Sequence, residues 1–301
     1  MSRLQPLLAP ASICVIGASP DETRVGGVPL AQLRRLGYAG AVYGVNPKYQ
    51  EVQGYPCVPE VEALPVPVEC AVLAVAAEQV LPLLERCHQK GVRAAVVFAG
   101  GFAETATDLG RELQQRLVAF AQRTGMRIAG PNTLGNANLM TGAYTSFFDG
   151  FARARPATDG PGIAVISQGG GPSIAIHEIG LRRGLRFGCF IQSGNEACVG
   201  MDEYLDDLAD DAHVAAAIAY VEGLSNFERF ARAAGHMSAA GRPLIVCKGG
   251  ETERGAEIAQ SHTARIAGSS AAWRAAFEQL NIVRAADIEE ATEIAYAAQY
   301  R

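Results

Sequence analysis

The sequence predicts an α/β protein with two domains, each built on a parallel sheet covered by helices on both faces. Three observations carry that expectation. Short apolar, β-branched runs alternate with amphipathic stretches of helical period along most of the chain. Several of these runs end in glycine-rich turns that open directly into a helix pattern, the layout of a doubly wound sheet. The length of 301 residues fits about two domains. The expected division is a first domain over 1–140, a connection over 141–159 and a second domain over 160–301.

In the first half, Ser12–Ile16 is a β-branched run that breaks into GASPDETRVGG, residues 17–27, and the helix pattern PLAQLRRLGY follows. AVYGV is the second strand. Glu69–Ala76 and Arg93–Gly101 are further strands, followed by helices over Glu78–Gln89 and Thr107–Arg123. MRIAG, residues 126–130, is a strand that runs into GPNTLG.

Gly17, Gly26 and Gly27 share the first strand-to-helix turn, where a phosphate meets the N-terminus of a helix. The turn is not GxGxxG, and the second strand does not end in the Asp or Glu that an NAD ribose needs. It ends Val45-Asn46-Pro47-Lys48. Lys48 suits a phosphorylated ribose, and NADP and coenzyme A both meet that description. A solvated surface lysine is the alternative. Asn132, in the rigid turn after the last strand, either meets a ligand or braces its loop.

Residues 137–159 have no clear period and read as the connection. GIAVISQGGG is then a strand running into three glycines, with Ser167 and Pro172 as helix-start signals. Ser167, Gln168, Gly169, Gly170 and Gly171 therefore form a candidate anion cradle of open backbone N–H groups. VAAAIAYVEGL places Glu222 at the carboxyl end of a near-continuous apolar strand. A carboxylate there either caps the next helix near Asn226 or accepts a hydrogen bond from an imidazole, leaving the other ring nitrogen to attack. LIVCK leads into KGGETERGAEIAQSHTARIAG, residues 248–268, a loop-like stretch with His262 in its middle. His262 reads as a nucleophile that carries a phosphoryl group. The other histidines, His88, His177 and His236 on helices and His213 in an acidic turn, read as structural or solvated.

Net charge is −5, which gives no electrostatic case for nucleic acid or an anionic membrane. The seven cysteines are scattered and include no CxxC pair, so neither a metal site nor a disulfide framework is expected. No apolar run reaches about 18–20 residues and the N-terminus lacks a signal-peptide layout, so a soluble cytoplasmic protein is the expectation.

The stretches VIGAS, VGG, VYGVNPKY, GGFAE, GPNTLG, VISQGGG, SGNEA, YVEGL and KGG…SHTARIAG together resemble the acyl-CoA synthetases that form a nucleoside diphosphate. The likeness is to the α subunit, or α-like domains, of ADP-forming acetyl-CoA synthetase and succinyl-CoA synthetase. It implies a Rossmann-like CoA-binding domain followed by a flavodoxin-like ligase domain. It implies that His262 is phosphorylated, that Glu222 orients it, and that residues 167–171 hold the phosphate. Gly17, Ser19, Gly26, Lys48, Ala99 and Gly100 fall where such proteins bind coenzyme A, and Asn132 lies near the thiol end. The reaction implied is acid + CoA + ATP giving acyl-CoA + ADP + phosphate. An ATP-grasp β subunit would supply the ATP/ADP and magnesium site, and a small carboxylic acid would be the substrate. The chain departs from the family pattern at Thr133 for cysteine, Gly169 for serine, Glu251 for arginine and Ala264 for glycine. Those departures bear on the substrate and the rate more than on the chemistry, because His262 and Glu222 remain, and they are the support for an alternative of another class: a non-catalytic CoA- or NADP-binding regulator with a degenerate ligase domain.

Overall fold

The computed structural model describes residues 2–158, 160–250, 273 and 277–300. The chain divides into two units, Met1–Arg153 with Gly194–Val199, and Ala154–Ser193 with Gly200–Arg301.

In the first unit the short helix α1 (Gln5–Leu8) precedes β1 (Ser12–Ile16). Four of the five β1 residues are buried, as a strand covered on both faces requires. Helix α2 (Val28–Arg35) has proline in its first turn and two arginines in its last. Then come β2 (Ala41–Val45), β3 (Glu51–Val52), β4 (Tyr55–Val58) and β5 (Cys70–Leu73). Helix α3 (Ala77–Gln89) follows β5, and α4 (Asp108–Thr124) separates β6 (Ala94–Val97) from β7 (Arg127–Ala129). Thr107 caps α4 by accepting the Gly110 N–H, and Gly125 ends it in a left-handed conformation.

The seven strands take the order β3-β4-β2-β1-β5-β6-β7. All pairs are parallel except the β3–β4 hairpin. The chain leaves β1 in one direction through β2 and returns past it to β5. The carboxyl ends of β1 and β5 are therefore a topological switch point, where open α/β sheets bind ligands.

The stretch expected as a featureless connection is partly ordered. It completes an antiparallel hairpin of β8 (Gly135–Asn138) and β9 (Ala143–Ser146) in the first unit. All four β9 residues are buried, so no polar–apolar alternation marks the strand in the sequence.

The second unit holds β10 (Arg155–Pro156), β11 (Gly162–Ser167), β12 (Arg186–Gln192), β13 (Val214–Val221), β14 (Leu244–Lys248) and β15 (Val283–Ala285). Its strands run β15-β14-β13-β11-β12, all parallel, with β10 beside β12. Helices α5 (Gly170–Arg183), α6 (Met201–Asp210), α7 (Phe227–Ala239) and α8 (Ile288–Gln299) belong to it. Every residue of β11 is buried. The switch point here lies between β11 and β13.

No helix among the described residues is long and apolar enough to cross a membrane. No disulfide joins the seven cysteines, all of which are described, and five of them are buried.

Candidate functional site

The first unit brings Gly17, Ser19, Gly26 and Lys48 to one polar cavity of about 560 Å³, which Arg24, Asn46 and Tyr49 also line. Backbone packing demands the glycines. A Cβ on Gly17, at φ +85°, would lie 2.4 Å from the Ala74 carbonyl oxygen, and one on Gly26 would lie 2.0 Å from the Gly17 oxygen. The turn is thus pressed against the end of β5, leaving its rim to Ser19, Arg24 and Lys48. Asn46 shapes the second wall: its Nδ2 donates to Ala18 O at 2.9 Å and its Oδ1 accepts the Lys48 N–H at 3.0 Å. A second, largely apolar cavity of about 530 Å³ shares Gly17 and Asn46 and is lined by Ile16, Val45, Val61, Val75 and Leu83. A polar chamber beside an apolar slot suits a phosphorylated ligand with an attached ring.

Sequence reasoning missed Gln53. It sits at φ +55° in the β3–β4 turn, and its Nε2 donates to Ser19 O at 2.9 Å and Gly27 O at 3.0 Å. It ties both ends of the glycine turn to the hairpin.

Ala99, Gly100 and Asn132 also come together. Asn132, left-handed at φ +56°, donates its N–H to Ala99 O at 2.8 Å. A Cβ on Gly100 would lie 3.5 Å from Asn132 Oδ1. Glu104 fixes this loop: its Oε1 accepts the N–H groups of Gly101 at 2.6 Å and Phe102 at 3.1 Å. Its other oxygen accepts from Asn195 Nδ2, while Asn195 Oδ1 accepts from Asn132 Nδ2 at 3.3 Å. Glu104 and Asn195 were legible only as parts of GGFAE and SGNEA, without a role. Thr133 is buried and its hydroxyl accepts the Gly135 N–H at 2.9 Å.

In the second unit, the carboxyl ends of β11 and β13 bring Ser167–Gly171 beside Glu222. Ser167 is fully buried, and its hydroxyl donates to Gly169 O at 2.6 Å. Gly169 is the N-cap of α5 and has no side chain to cap with, so the first turn of the helix lacks a side-chain acceptor at that position. A Cβ on Gly169 would lie 2.6 Å from Glu222 Oε1. The Glu222 carboxylate therefore leans on the glycine start of α5. Asn226, whose Oδ1 accepts the Arg229 N–H at 2.9 Å, caps α7; capping that helix is not Glu222's task. Burial, followed by the Glu222 charge, pushes the Tyr220 phenol above its ordinary pKa.

Gln168 behaves differently from a side chain aimed at an anion. Its Oε1 accepts the N–H groups of Glu222 at 2.7 Å and Gly223 at 3.1 Å, and its Nε2 donates to Gly223 O at 2.8 Å. Lys248, the last residue of β14, is buried, and its Nζ donates to Glu222 O at 2.8 Å and to Gly249 O.

His262 lies outside the described residues, as do Glu251 and Ala264. The remaining histidines stand where expected. His88, His177 and His236 are on α3, α5 and α7, and His213 Nδ1 is 3.0 Å from Asp211 Oδ1. Among the described residues no group of three or more His, Cys, Asp or Glu is placed to hold a metal ion.

Residues 11–138 match the family described as a CoA binding domain, and residues 160–298 match the succinyl-CoA ligase like flavodoxin domain. The chain is 36% identical over 292 residues to acetate–CoA ligase [ADP-forming] I of Archaeoglobus fulgidus, a match covering 97% of this chain and 41% of that protein. It is 35% identical over 298 residues to the α subunit of acetate–CoA ligase [ADP-forming] I of Pyrococcus furiosus, covering 98% of this chain and 63% of that subunit. The fold aligns with a TM-score of 0.90, at 32% identity, to an acetyl-coenzyme A synthetase of Ca. Korarchaeum cryptofilum solved with phosphate and ADP. That alignment covers 99% of this chain and 62% of the other. The chain thus spans between about two fifths and just under two thirds of these relatives.

Proposed function

We propose that the chain, built from a CoA binding domain and a succinyl-CoA ligase-like flavodoxin domain, is the α portion of an ADP-forming carboxylate–CoA ligase of the nucleoside-diphosphate-forming acyl-CoA synthetase superfamily. The overall reaction is acid + CoA + ATP giving acyl-CoA + ADP + phosphate. The observation that carries this reading is the contact between the Glu222 carboxylate and the glycine start of α5, at the switch point of the ligase-like unit.

Each part has a physical task. The polar cavity at Ser19, Arg24 and Lys48 receives the phosphates of CoA, and the apolar slot beside it receives the adenine. Gly100 and Asn132 line the path of the thiol arm. The open N–H groups of α5 neutralise phosphate charge; a helix N-terminus contributes on the order of 0.5–2 kcal/mol to such an anion. Glu222 accepts a hydrogen bond from one imidazole nitrogen of His262 and so fixes the tautomer whose other nitrogen attacks. In the direction written, a carboxylate oxygen of the acid forms the bond to phosphorus as the N–P bond of phosphorylated His262 breaks and leaves the imidazole free; in reverse, the imidazole nitrogen takes phosphorus from the acyl phosphate and the carboxylate leaves. Splitting one transfer into two in-line steps lets the phosphoryl group reach a separate nucleotide site. That site, with ATP and its magnesium, is assigned to an ATP-grasp partner, as a separate subunit or as further sequence of the same polypeptide.

The test is to co-express the chain with candidate ATP-grasp subunits and assay a panel of short carboxylic acids for ATP-dependent CoA consumption. The reading expects ADP and acyl-CoA in equal amounts with at least one acid. CoA binding without turnover for every pairing and acid would favour the non-catalytic regulator.

A further inference from the structure

We propose that Gln168 and Lys248 are positioning residues that hold Glu222 from the strands on either side of its own; this rests on the reading of Glu222 as the partner of His262. In the sheet, β13 lies between β11 and β14. Its last residue is Val221, so Glu222 and Gly223 stand just beyond the strand. There a polypeptide normally turns to water or to a cap for its backbone partners.

Two side chains take these backbone groups instead. Gln168, immediately after β11, accepts both N–H groups and donates to the Gly223 carbonyl; Lys248, at the end of β14, donates to the Glu222 carbonyl. Among side chains of that length at neutral pH, where a glutamate is ionised and only accepts, the primary amide alone offers a two-lone-pair acceptor and a donor on one rigid plane. Both clamps are themselves immobilised. Gln168 is 6% and Lys248 9% exposed, and the Lys248 ammonium lies 5.5 Å from the centre of the Trp273 ring.

A peptide gripped from both flanks cannot rotate, which fixes the direction in which the Glu222 side chain leaves the backbone. Its carboxylate is delivered to the space over Gly169. Gln168, which by its place in the motif reads as a phosphate ligand, acts through Glu222.

The test measures phosphorylation of the intact chain by acetyl phosphate in wild type, Glu222→Gln, Gln168→Ala and the double variant. Gln168→Met keeps the side-chain volume and replaces Gln168→Ala if the latter does not fold. The proposal expects Gln168→Ala to lower the maximal rate about tenfold or more with the KM for acetyl phosphate changed less than about twofold. It expects the double variant to be within about twofold of Glu222→Gln, because both act through one carboxylate. Native-state hydrogen exchange should quicken about tenfold or more at the Glu222 and Gly223 amides in Gln168→Ala, and not in the first unit. A raised KM alone, fully multiplicative effects, or a wild-type rate in a folded Gln168 variant while Glu222→Gln is slow would overturn the positioning role. Normal phosphorylation of Glu222→Gln, or none of wild type, would instead overturn the reading beneath it.

Discussion

The space that a side chain on Gly169 would occupy is held by the carboxylate of Glu222, with Oε1 2.6 Å from an ideal Cβ position. Gly169 does not need to be glycine for its backbone, since its φ of −103° is open to any residue. The absence of a side chain at Gly169 and the placement of the glutamate are therefore a single feature of the site.

Gly169→Ala should accordingly disturb the carboxylate more than the fold. The clash is with the far end of a flexible side chain, and alanine at an N-cap costs about 0.5–1 kcal/mol relative to glycine. Phosphorylation of His262 should slow about tenfold or more, because a displacement near 1 Å at a reacting group has effects of that order. Thermal unfolding and the phosphorylation rate of the same preparation separate the two effects. An unchanged rate would show that Glu222 works equally well from another position.

Lys48 stands exposed at the mouth of the polar cavity of the first unit. It should favour CoA over dephospho-CoA, and both over NAD, since no carboxylate ends β2. Calorimetry on Lys48→Ala should show the preference for CoA reduced by about tenfold, equivalent to one lost charge-assisted contact. Tighter binding of NAD than of CoA by the wild type would contradict the assignment of this cavity.

Glu69 ties β5 to the start of β1. Its Oε2 accepts the Ala11 N–H at 2.8 Å and Gln5 Nε2 at 3.3 Å, and Arg93 pairs with the other oxygen. Partial burial raises its pKa, but the bonds from Ala11, Gln5 and Arg93 outweigh that and hold it below the ordinary carboxyl value. A folded pKa below the unfolded one adds stability above the unfolded value, and this is lost as pH falls through the folded value. Glu69→Gln should thus be less stable than wild type by about 1–2 kcal/mol near neutrality. Urea unfolding should show that gap closing as the pH is lowered below about 4, the unfolded glutamate value. A gap that stays constant would assign the effect to shape.

Much of the framework is legible in the residues. β1 and β2 cover the apolar runs Ser12–Ile16 and Ala41–Val45, and β14 covers LIVCK. Strand ends are less so: β5 stops at Leu73, short of the apolar run through Ala76, because the chain bends to meet the glycine turn at Ala74. The β8–β9 hairpin escapes notice because burial on both faces erases the period of two. Glu222 and the glycine start of α5 can each be singled out locally, but their contact cannot. The polar clamps are the least legible part. Gln168 meets Glu222 across 54 residues and Asn195 meets Glu104 across 91, and no local pattern announces such a partner. His262, singled out in the sequence, lies outside the described residues.

The 301-residue chain alone should not form ADP. Both of its glycine-rich helix starts are already assigned, one to CoA and one to phosphate, and no further stretch has the composition of a triphosphate cradle. With ATP, magnesium, CoA and a short-chain acid it should yield no ADP above background, and adding the ATP-grasp partner should restore production. Robust ADP-linked acyl-CoA synthesis without any added protein would require a nucleotide site within this chain.

The site and chemistry of phosphorylation decide whether His262 and Glu222 act as proposed. The chain should be incubated with acetyl phosphate, then analysed for acid-labile, base-stable phosphate and mapped by mass spectrometry. A single phosphohistidine should form at His262, be absent in His262→Ala although CoA still binds, and form on the order of 10²-fold more slowly in Glu222→Gln. Phosphate that persists in His262→Ala, that is acid-stable, or that never appears on the wild-type chain would contradict these roles.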